Sequence, residues 1–557
     1  MMNAVEERGV KKDKLFNFRP AFFAAIFFAF GIVYGYYRKI YGISAWSLLT
    51  LIPIAAMPFF FCRSRKDVFY RMAALLLLTA SFALGASALR SQLYSYTRCG
   101  YYNGVHTVTG TVTSYTKQGE SFRLVLTDIT VDGKEENGLL NAYLPTSYTQ
   151  SVRIADEVAL MGRVRTRTEY LTQNYFRAND INDGVRFLAD NLSAYQKTGR
   201  SDNLFLRIRD RVERVVCGGM DETSASVTLG VLIGDTTKIE GDLLNNMRQG
   251  GIAHIFAVSG LHVGALYAFI LLLFSKTALR RLSGIVQFLA LAAVLLFYAG
   301  ICGFSPSIVR AMTLCLVGYC MRRLGGASDG LEMLGLAAIL ILLFTPCALF
   351  EIGFQLSFAA CLGIVLLAKR IGQVCNEGAK LFRKVFPRHY TEEEKRILEK
   401  GDTLPLSVGE RIFRSVVSIF SASLAAQLFT APLQYMAFGY LSAWSLLLNL
   451  FFVPLISGVF AVLLLLVFLA CLLPLWCSYY VLYIPAVLLN AALLLFEVID
   501  FSTFSLTSMQ LSGESCVCYY GGIIFLTDKW NLSKKQRRLL ALLFFVGFAV
   551  ILATLNR

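Results

Sequence analysis

Long apolar runs, broken at intervals by clusters of basic and polar residues, set the pattern of this chain. Runs near the roughly 20 residues that cross a bilayer begin at Pro20, Ile43, Met72, Ile252, Gly284, Ser307, Leu331, Leu349, Phe413, Trp444, Tyr479 and Leu539. A shorter run covers Val517 to Leu526, and Trp444 to Leu475 is long enough for two segments. The pattern predicts a polytopic α-helical membrane protein of about 11 to 13 spans. Composition agrees: 56% of the 557 residues are hydrophobic, above the roughly 45–50% of soluble domains. Pro20 to Tyr37 runs into Tyr-Tyr-Arg-Lys instead of a small-residue cleavage site, so the first run is expected to stay as an anchor.

The periodicity changes between about Tyr101 and Gln196. Segments such as VHTVTGTVTSY, FRLVLTDITVDG, GLLNAYLP, EVALMGRVRTRT and GVRFLADNLSAYQ are β-rich or alternating, and Asp132-Gly133 offers a hairpin turn. About five short strands in so short a stretch predict a small β-barrel, with an OB-like barrel as one form. Arg163, Arg165 and Arg167 fall on one strand face by the period of two. Such a face suits a phosphate backbone, or is simply a solvated face in a domain whose charges nearly balance. Leu204 to Val216 places apolar residues at helical spacing opposite Arg207, Arg211 and Arg214. That segment reads as an interfacial amphipathic helix or as a linker helix packed on the barrel.

Charge adds orientation. Short cytoplasmic loops collect Lys and Arg. The tail with Arg8, Lys11, Lys12, Lys14 and Arg19, the loop with Arg63, Arg65, Lys66 and Arg71, the turns with Lys276, Arg280, Arg281 and with Arg322, Arg323, and the insert 369–414 all fall on one side when the spans are threaded in order. That side is expected to be cytoplasmic, with the β-rich domain outside. The formal net charge of +16 is then mainly a topology and anionic-lipid signal. Within the insert, TEEEKRILEK has the pattern of a solvated helix.

Candidate chemistry concentrates in GGIAHIFAVSGLHVGAL, Gly250 to Leu266, which holds two of only four histidines. Polar groups at membrane depth are costly and usually bind or move something. Ser259-Gly260 invites a helix break, whose free N–H groups suit phosphate oxygens. Ser259 and His262, three apart, share a helix face; His262 serves either a phosphate or a neighbouring helix. Arg310 has to snorkel, pair with Asp235, Asp329 or Glu351, or meet a polyanion. Gln355, Ser357, Gln427 and Asn449 are uncharged hydrogen-bonders in apolar runs, suited to a polar wall or to interhelical glue. Pro432 and Pro454 read as kinks or span ends. The 13 cysteines mostly sit in or near spans; Cys99 and Cys217 flank the β-rich domain and leave a disulfide geometrically open. No zinc-like spacing and no GxxxxGK[ST] motif occurs, so neither a metal, another cofactor nor an ATPase is expected.

Arg248, Gly251, His254 and SGLHVG (Ser259 to Gly264) resemble the core motif of the ComEC-type competence proteins. Gly234-Asp235, SPSIVRA (Ser305 to Ala311), Asp329, Pro346, GFQLSFAACLG (Gly353 to Gly363), Gln427 with Thr430-Ala431-Pro432, and SLLLNLFFVPL (Ser445 to Leu455) follow the same family order. The β-rich domain behind three N-terminal spans resembles the family's OB-like region. The resemblance implies an inner-membrane channel that passes a single DNA strand during natural transformation. It also implies an external DNA receptor and a cytoplasmic motor or single-strand-binding proteins as partners. Many members carry a metallo-β-lactamase-like domain beyond the last span. With only His106, His254, His262 and His389, that site is not expected here, and a separate nuclease is.

The domain organisation expected is a tail with three spans over 1–97, an extracellular OB-like domain over 98–198 and an amphipathic interfacial helix over 199–221. A channel core over 222–480, with the insert 369–414, and C-terminal spans over 481–557 complete it. The DNA-path candidates are Asp235, Arg248, His254, Ser259, Gly260, His262, Arg310, Gln355, Ser357, Gln427 and Asn449. Arg163, Arg165 and Arg167 are the external DNA-binding candidates. Two other classes stay open: an intramembrane hydrolase using Ser259 with His262 or His254, and a transporter of a small solute or lipid.

Overall fold

The structure, a computed structural model, describes residues 19–41, 68–118, 121–145, 152–167, 178–252, 254, 259–324, 329–385, 408–442, 444–498, 505–506, 511–527 and 533–555. The run expected from Ile43, the TEEEKRILEK segment and most of Ala253 to Val258 lie outside these residues.

Helices α1 (Pro20–Tyr41) and α2 (Val68–Thr97) open the chain and cross closely. The crossing is set by two glycines: a Cβ on Gly31 would lie 2.0 Å from the Phe82 carbonyl oxygen, and one on Gly85 2.1 Å from that of Phe28. Small residues let helix backbones approach this way where no water drives them together.

The β-rich stretch folds into a small sheet domain of β1 (Asn103–Gln118), β2 (Ser121–Val131), β3 (Lys134–Glu136), β4 (Leu139–Pro145), β5 (Asp156–Thr166) and β6 (Val185–Arg200). The strand order is β1-β5-β6-β4-β2-β3, and β1 also pairs with β2, so the five long strands form a ring. The hairpin expected at Asp132-Gly133 joins β2 to β3, with φ of 50° and 80°, the doubly positive pair that a two-residue turn requires. Alternation along β5 sends Val158, Leu160 and Val164 inward to a core with Val112, Leu126, Leu140 and Phe187, and leaves Arg163 and Arg165 exposed. A short helix, α3 (Ala178–Asn182), precedes β6.

The helical body follows: α4 (Leu204–Gly219), α5 (Glu222–Ile233), α6 (Gly241–Gln249), α7 (Gly260–Lys276), α8 (Gly284–Ile301), α9 (Pro306–Arg323), α10 (Gly330–Phe344) and α11 (Ile352–Gly363). A π-type turn over Ile364–Ala368 carries α11 into α12 (Lys369–Val385). Then come α13 (Val408–Phe438), α14 (Ser445–Leu472), α15 (Ser478–Val498), α16 (Gly513–Leu526) and α17 (Lys534–Leu555). Trp444 to Leu475 is thus mainly one helix: α14 runs on past Pro454, and α13 likewise past Pro432. Among the described residues six helices are long and apolar enough to cross a membrane: Pro20–Arg38, Gly284–Ile301, Ile352–Glu377, Gly409–Phe438, Ser445–Leu472 and Lys535–Thr554. Shorter apolar helices add to them, α5, α7 and α10 included.

The apolar face of α4 is covered by protein. Val215 and Val216 are fully buried in the largest core, which also takes in α5, α7, α8, α14 and α15. Arg211 donates to the carbonyls of Leu473 (2.6 Å) and Cys471 (3.4 Å), closing the C-terminal end of α14. No disulfide joins Cys99 to Cys217.

Contacts fix which features share an end of the bundle. At the start of α10, Arg19 pairs with Asp329 at 2.5 Å, and Glu332 accepts the Ala21 N–H at 3.0 Å. Beyond its other end, the Cys347 N–H donates to Gln92 (2.9 Å), and Asn182 of the sheet domain donates to Glu351 (2.6 Å). The Arg19 end and the sheet domain therefore lie at opposite ends of α10.

Candidate functional site

Of the motif Gly250 to Leu266, the described residues form a turn at Gly250 and Gly251 and, from Gly260, the first turns of α7. Gly251 has φ of 73°, and a Cβ there would lie 2.5 Å from that of Ser445, so both backbone and packing demand glycine. Ser445 in turn accepts a hydrogen bond from Gln427 at 2.6 Å, and Gln427 also donates to the Ser442 carbonyl at 3.2 Å. Three separate sequence segments, from the α6–α7 loop, α13 and the start of α14, meet at this point. His254 is exposed beside it.

Ser259 and Gly260 mark where α7 begins. Ser259 is extended (φ −129°, ψ 174°), and its Oγ accepts the Leu261 N–H at 3.3 Å. His262 completes a reciprocal cap: its Nδ1 accepts the Ser259 backbone N–H at 3.0 Å and lies 3.3 Å from Ser259 Oγ. An Nδ1 that accepts carries no proton, so the neutral ring holds its proton on Nε2. His262 is fully buried, its ring 4.7 Å from that of Phe460 in α14, and Nε2 has no hydrogen-bond partner among the described residues. Gly260, exposed, faces α9: a Cβ on it would rest 3.6 Å from that of Ala311.

Arg310 occupies the second turn of α9, after Ser305 at the N-cap and Pro306 at N1. It is 7% exposed, and its Nε makes no hydrogen bond among the described residues. None of the three carboxylates offered by the sequence pairs with it within 4 Å. Asp235 faces Arg209 at 3.6 Å, Asp329 holds Arg19, and Glu351 takes the Asn182 amide. Its guanidinium lies instead against Gly353, in the first turn of α11. Gln355, two residues further on, donates to the Leu349 carbonyl at 3.0 Å, and Ser357 is half-buried on the same helix. On α14, Asn449 has a buried Oδ1 without a partner. Arg248 is exposed and donates to Asn245 at 3.4 Å.

The three arginines of the sheet domain are largely engaged with the domain's own carboxylates. Arg165 pairs with Asp190 and Arg167 with Asp180 (2.6 Å), while Arg163 stays exposed.

A second cluster had no sequence signal, because its members come from distant segments. Where the sheet domain meets the helices, Tyr115 of β1 donates to Glu213 of α4 at 2.5 Å, and Lys238 bonds the same carboxylate while lying 5.3 Å over the Tyr115 ring. Burial, with the Glu213 charge and hydrogen bond, pushes the Tyr115 hydroxyl up to about 12. Burial opposes the Lys238 charge, but its bond to Glu213 and that carboxylate's charge prevail and raise the lysine. Asp210 holds Arg200 and Arg214 on the same helix, and Asp235 sits next to this joint through Arg209. Asp235 therefore ties the sheet domain's linker to the bundle.

The comparisons with known proteins bear on the same helices. A family model described as "Competence protein" matches residues 231–533, more than half of the chain. The "ComE operon protein 3" of Bacillus subtilis (strain 168) is 29% identical over 151 residues, 27% of this chain and 19% of that protein. The "Uncharacterized protein MG316 homolog" of Mycoplasma pneumoniae is 31% identical over 139 residues, covering 25% and 34%. The "Uncharacterized protein YcaI" of Escherichia coli (strain K12) is 26% identical over 237 residues, covering 42% and 27%. The matches thus span between 19% and 34% of the length of these curated relatives. No solved structure matches.

Proposed function

This chain belongs to the competence protein family, and from that membership we propose that it serves DNA uptake, guiding a single strand across the cytoplasmic membrane. The family match carries the reading, because it runs through the motif helices α7, α9, α11, α13 and α14.

The geometry supports guidance over chemistry. Hydrogen-bonding groups of His262, Arg310 and Asn449 stand buried and without a partner among the described residues. Unmade hydrogen bonds of this kind are expensive unless a ligand or water completes them. A hydrolase built on Ser259 and His262 finds less support. His262 Nδ1 is already occupied by the Ser259 N–H, and no carboxylate orients Nε2. The strand ring is consistent with an OB-like domain that receives nucleic acid outside the membrane, and exposed Arg163 is its first contact. An external receptor, a cytoplasmic motor or single-strand-binding proteins, and a separate nuclease complete the pathway in this reading.

The test is entry of fluorescent DNA into the cytoplasm of the native host. Uptake is expected to vanish on deletion, to return with the wild-type gene, and not to return with His262→Ala at equal abundance. Uptake that survives deletion would remove the reading and bring the small-solute transporter forward.

A further inference from the structure

The Arg310 guanidinium lies against the first turn of α11. Glu351 is the N-cap of α11, yet it gives the helix no side-chain cap, and its carboxylate is turned to Asn182. The first-turn N–H groups of Ile352, Gly353 and Phe354 make no hydrogen bond among the described residues. Such donors at a helix start, with the positive end of the dipole behind them, are satisfied by a cap, by water or by an anion. The independent observation is Arg310. It is 93% buried on a 7% exposure, has an orphaned Nε, and places Nη2 3.6 Å and Nη1 4.0 Å from where a Cβ of Gly353 would stand. The Glu351 carboxylate acts on this guanidinium electrostatically, but it is held by Asn182 and makes no ion pair with Arg310 within 4 Å; a guanidinium withdrawn from water without a counter-charge in contact is strongly unfavourable. The two positive features face each other across the space that glycine leaves open.

We propose that Arg310 and the uncapped N-terminus of α11 form an oxyanion site that binds a phosphodiester of the translocating strand. The proposal rests on the DNA-uptake reading and adds a place and a mode of contact to it. Guanidinium and backbone N–H groups together match the two free oxygens of a phosphodiester. Position favours a strand over a lipid headgroup. The site lies between α9 and α11, and Asn182 of the sheet domain is bonded to the residue that caps α11. That bond brings the sheet domain next to this helix end, where a strand leaving the domain would be within reach of it. A phosphate held here is relayed by charge alone, so any base sequence passes.

The test uses the full chain in phosphatidylcholine nanodiscs and the anisotropy of a fluorescent oligothymidylate across a salt series. Arg310→Gln is expected to weaken binding about tenfold, the size of one charge-assisted contact, and to reduce the slope of log affinity against log salt by about 0.7. Arg310→Lys is expected to retain the slope while losing affinity, because the charge remains and the fork is lost. Gly353→Ala keeps the arginine and meets only ordinary van der Waals contact, so it folds; its methyl occupies the cradle and weakens binding. Should Arg310→Gln fail to fold, Gly353→Ala and Arg310→Lys decide the matter. Wild-type affinity and slope in these variants would overturn the site while leaving the uptake reading standing. Absence of oligonucleotide binding by the wild type, with Arg310-dependent binding of phosphatidylglycerol doped into the nanodiscs, would overturn the strand as ligand and the uptake reading with it.

Discussion

Ser259 and His262 show how much one side chain's partner decides. Their spacing of three made a shared helix face legible, and Ser259-Gly260 signalled a break in the helix. That His262 reaches back to the Ser259 backbone N–H is a matter of rotamer, and it gives the candidate residue a capping role while leaving Nε2 without a partner among the described residues. The cap makes a prediction at this scale. Ser259→Ala loses the bond to Leu261 and is expected to lower stability by about 1 kcal/mol, whereas Ser259→Asn, another good cap, stays within a few tenths. Thermal unfolding of the purified protein in detergent reads both. Equal losses for the two variants would mean that Ser259 acts through something other than the cap. Arg310 was legible as a costly residue, but its neighbour Gly353 was not, since the two lie in different helices and the glycine carries no chemistry of its own.

At the scale of elements, hydrophobic runs located the helices well, and alternation located the strands. Crossing distances were hidden, because a glycine in an apolar run reads the same whether it faces lipid or a neighbouring backbone. The structure separates the cases. Gly85 sits against the Phe28 carbonyl, while nothing lies within 4 Å of a Cβ on Gly458 in α14. Gly85→Ala is therefore expected to destabilise by more than about 1 kcal/mol despite the gain in helix propensity, and Gly458→Ala to be neutral or stabilising by up to about 1 kcal/mol. Melting temperatures of the two variants in one detergent compare them directly. A stable Gly85→Ala protein would show that α1 and α2 do not cross at these glycines. The amphipathic α4 teaches the same lesson: its apolar stripe was plain, and only tertiary contacts revealed that helix ends cover it.

For the whole molecule, the ion pair of Arg19 with Asp329 and the Asn182–Glu351 bond place Arg19 and the sheet domain at opposite ends of α10. Positive residues favour the cytoplasmic side, so the sheet domain is assigned to the outside as part of the proposed reading. In a background without native cysteines, Arg163→Cys is expected to react with a membrane-impermeant maleimide in intact cells. Lys276→Cys is expected to react only after permeabilisation. The reverse pattern would invert the orientation.

By itself, the sequence determined class, element types and family, because each of these rests on local periodicity, composition or ordered motifs that survive as a string. It also singled out Ser259, His262, Arg310 and Gln427 as polar residues that an apolar run must justify. Partners were decided only by the tertiary structure: Asp235 with Arg209, Tyr115 and Lys238 with Glu213, Gln427 with Ser445, Arg310 with the open end of α11. Residues far apart in the chain are brought together by helix crossings and by the closure of a strand ring, and those depend on packing that no single segment encodes.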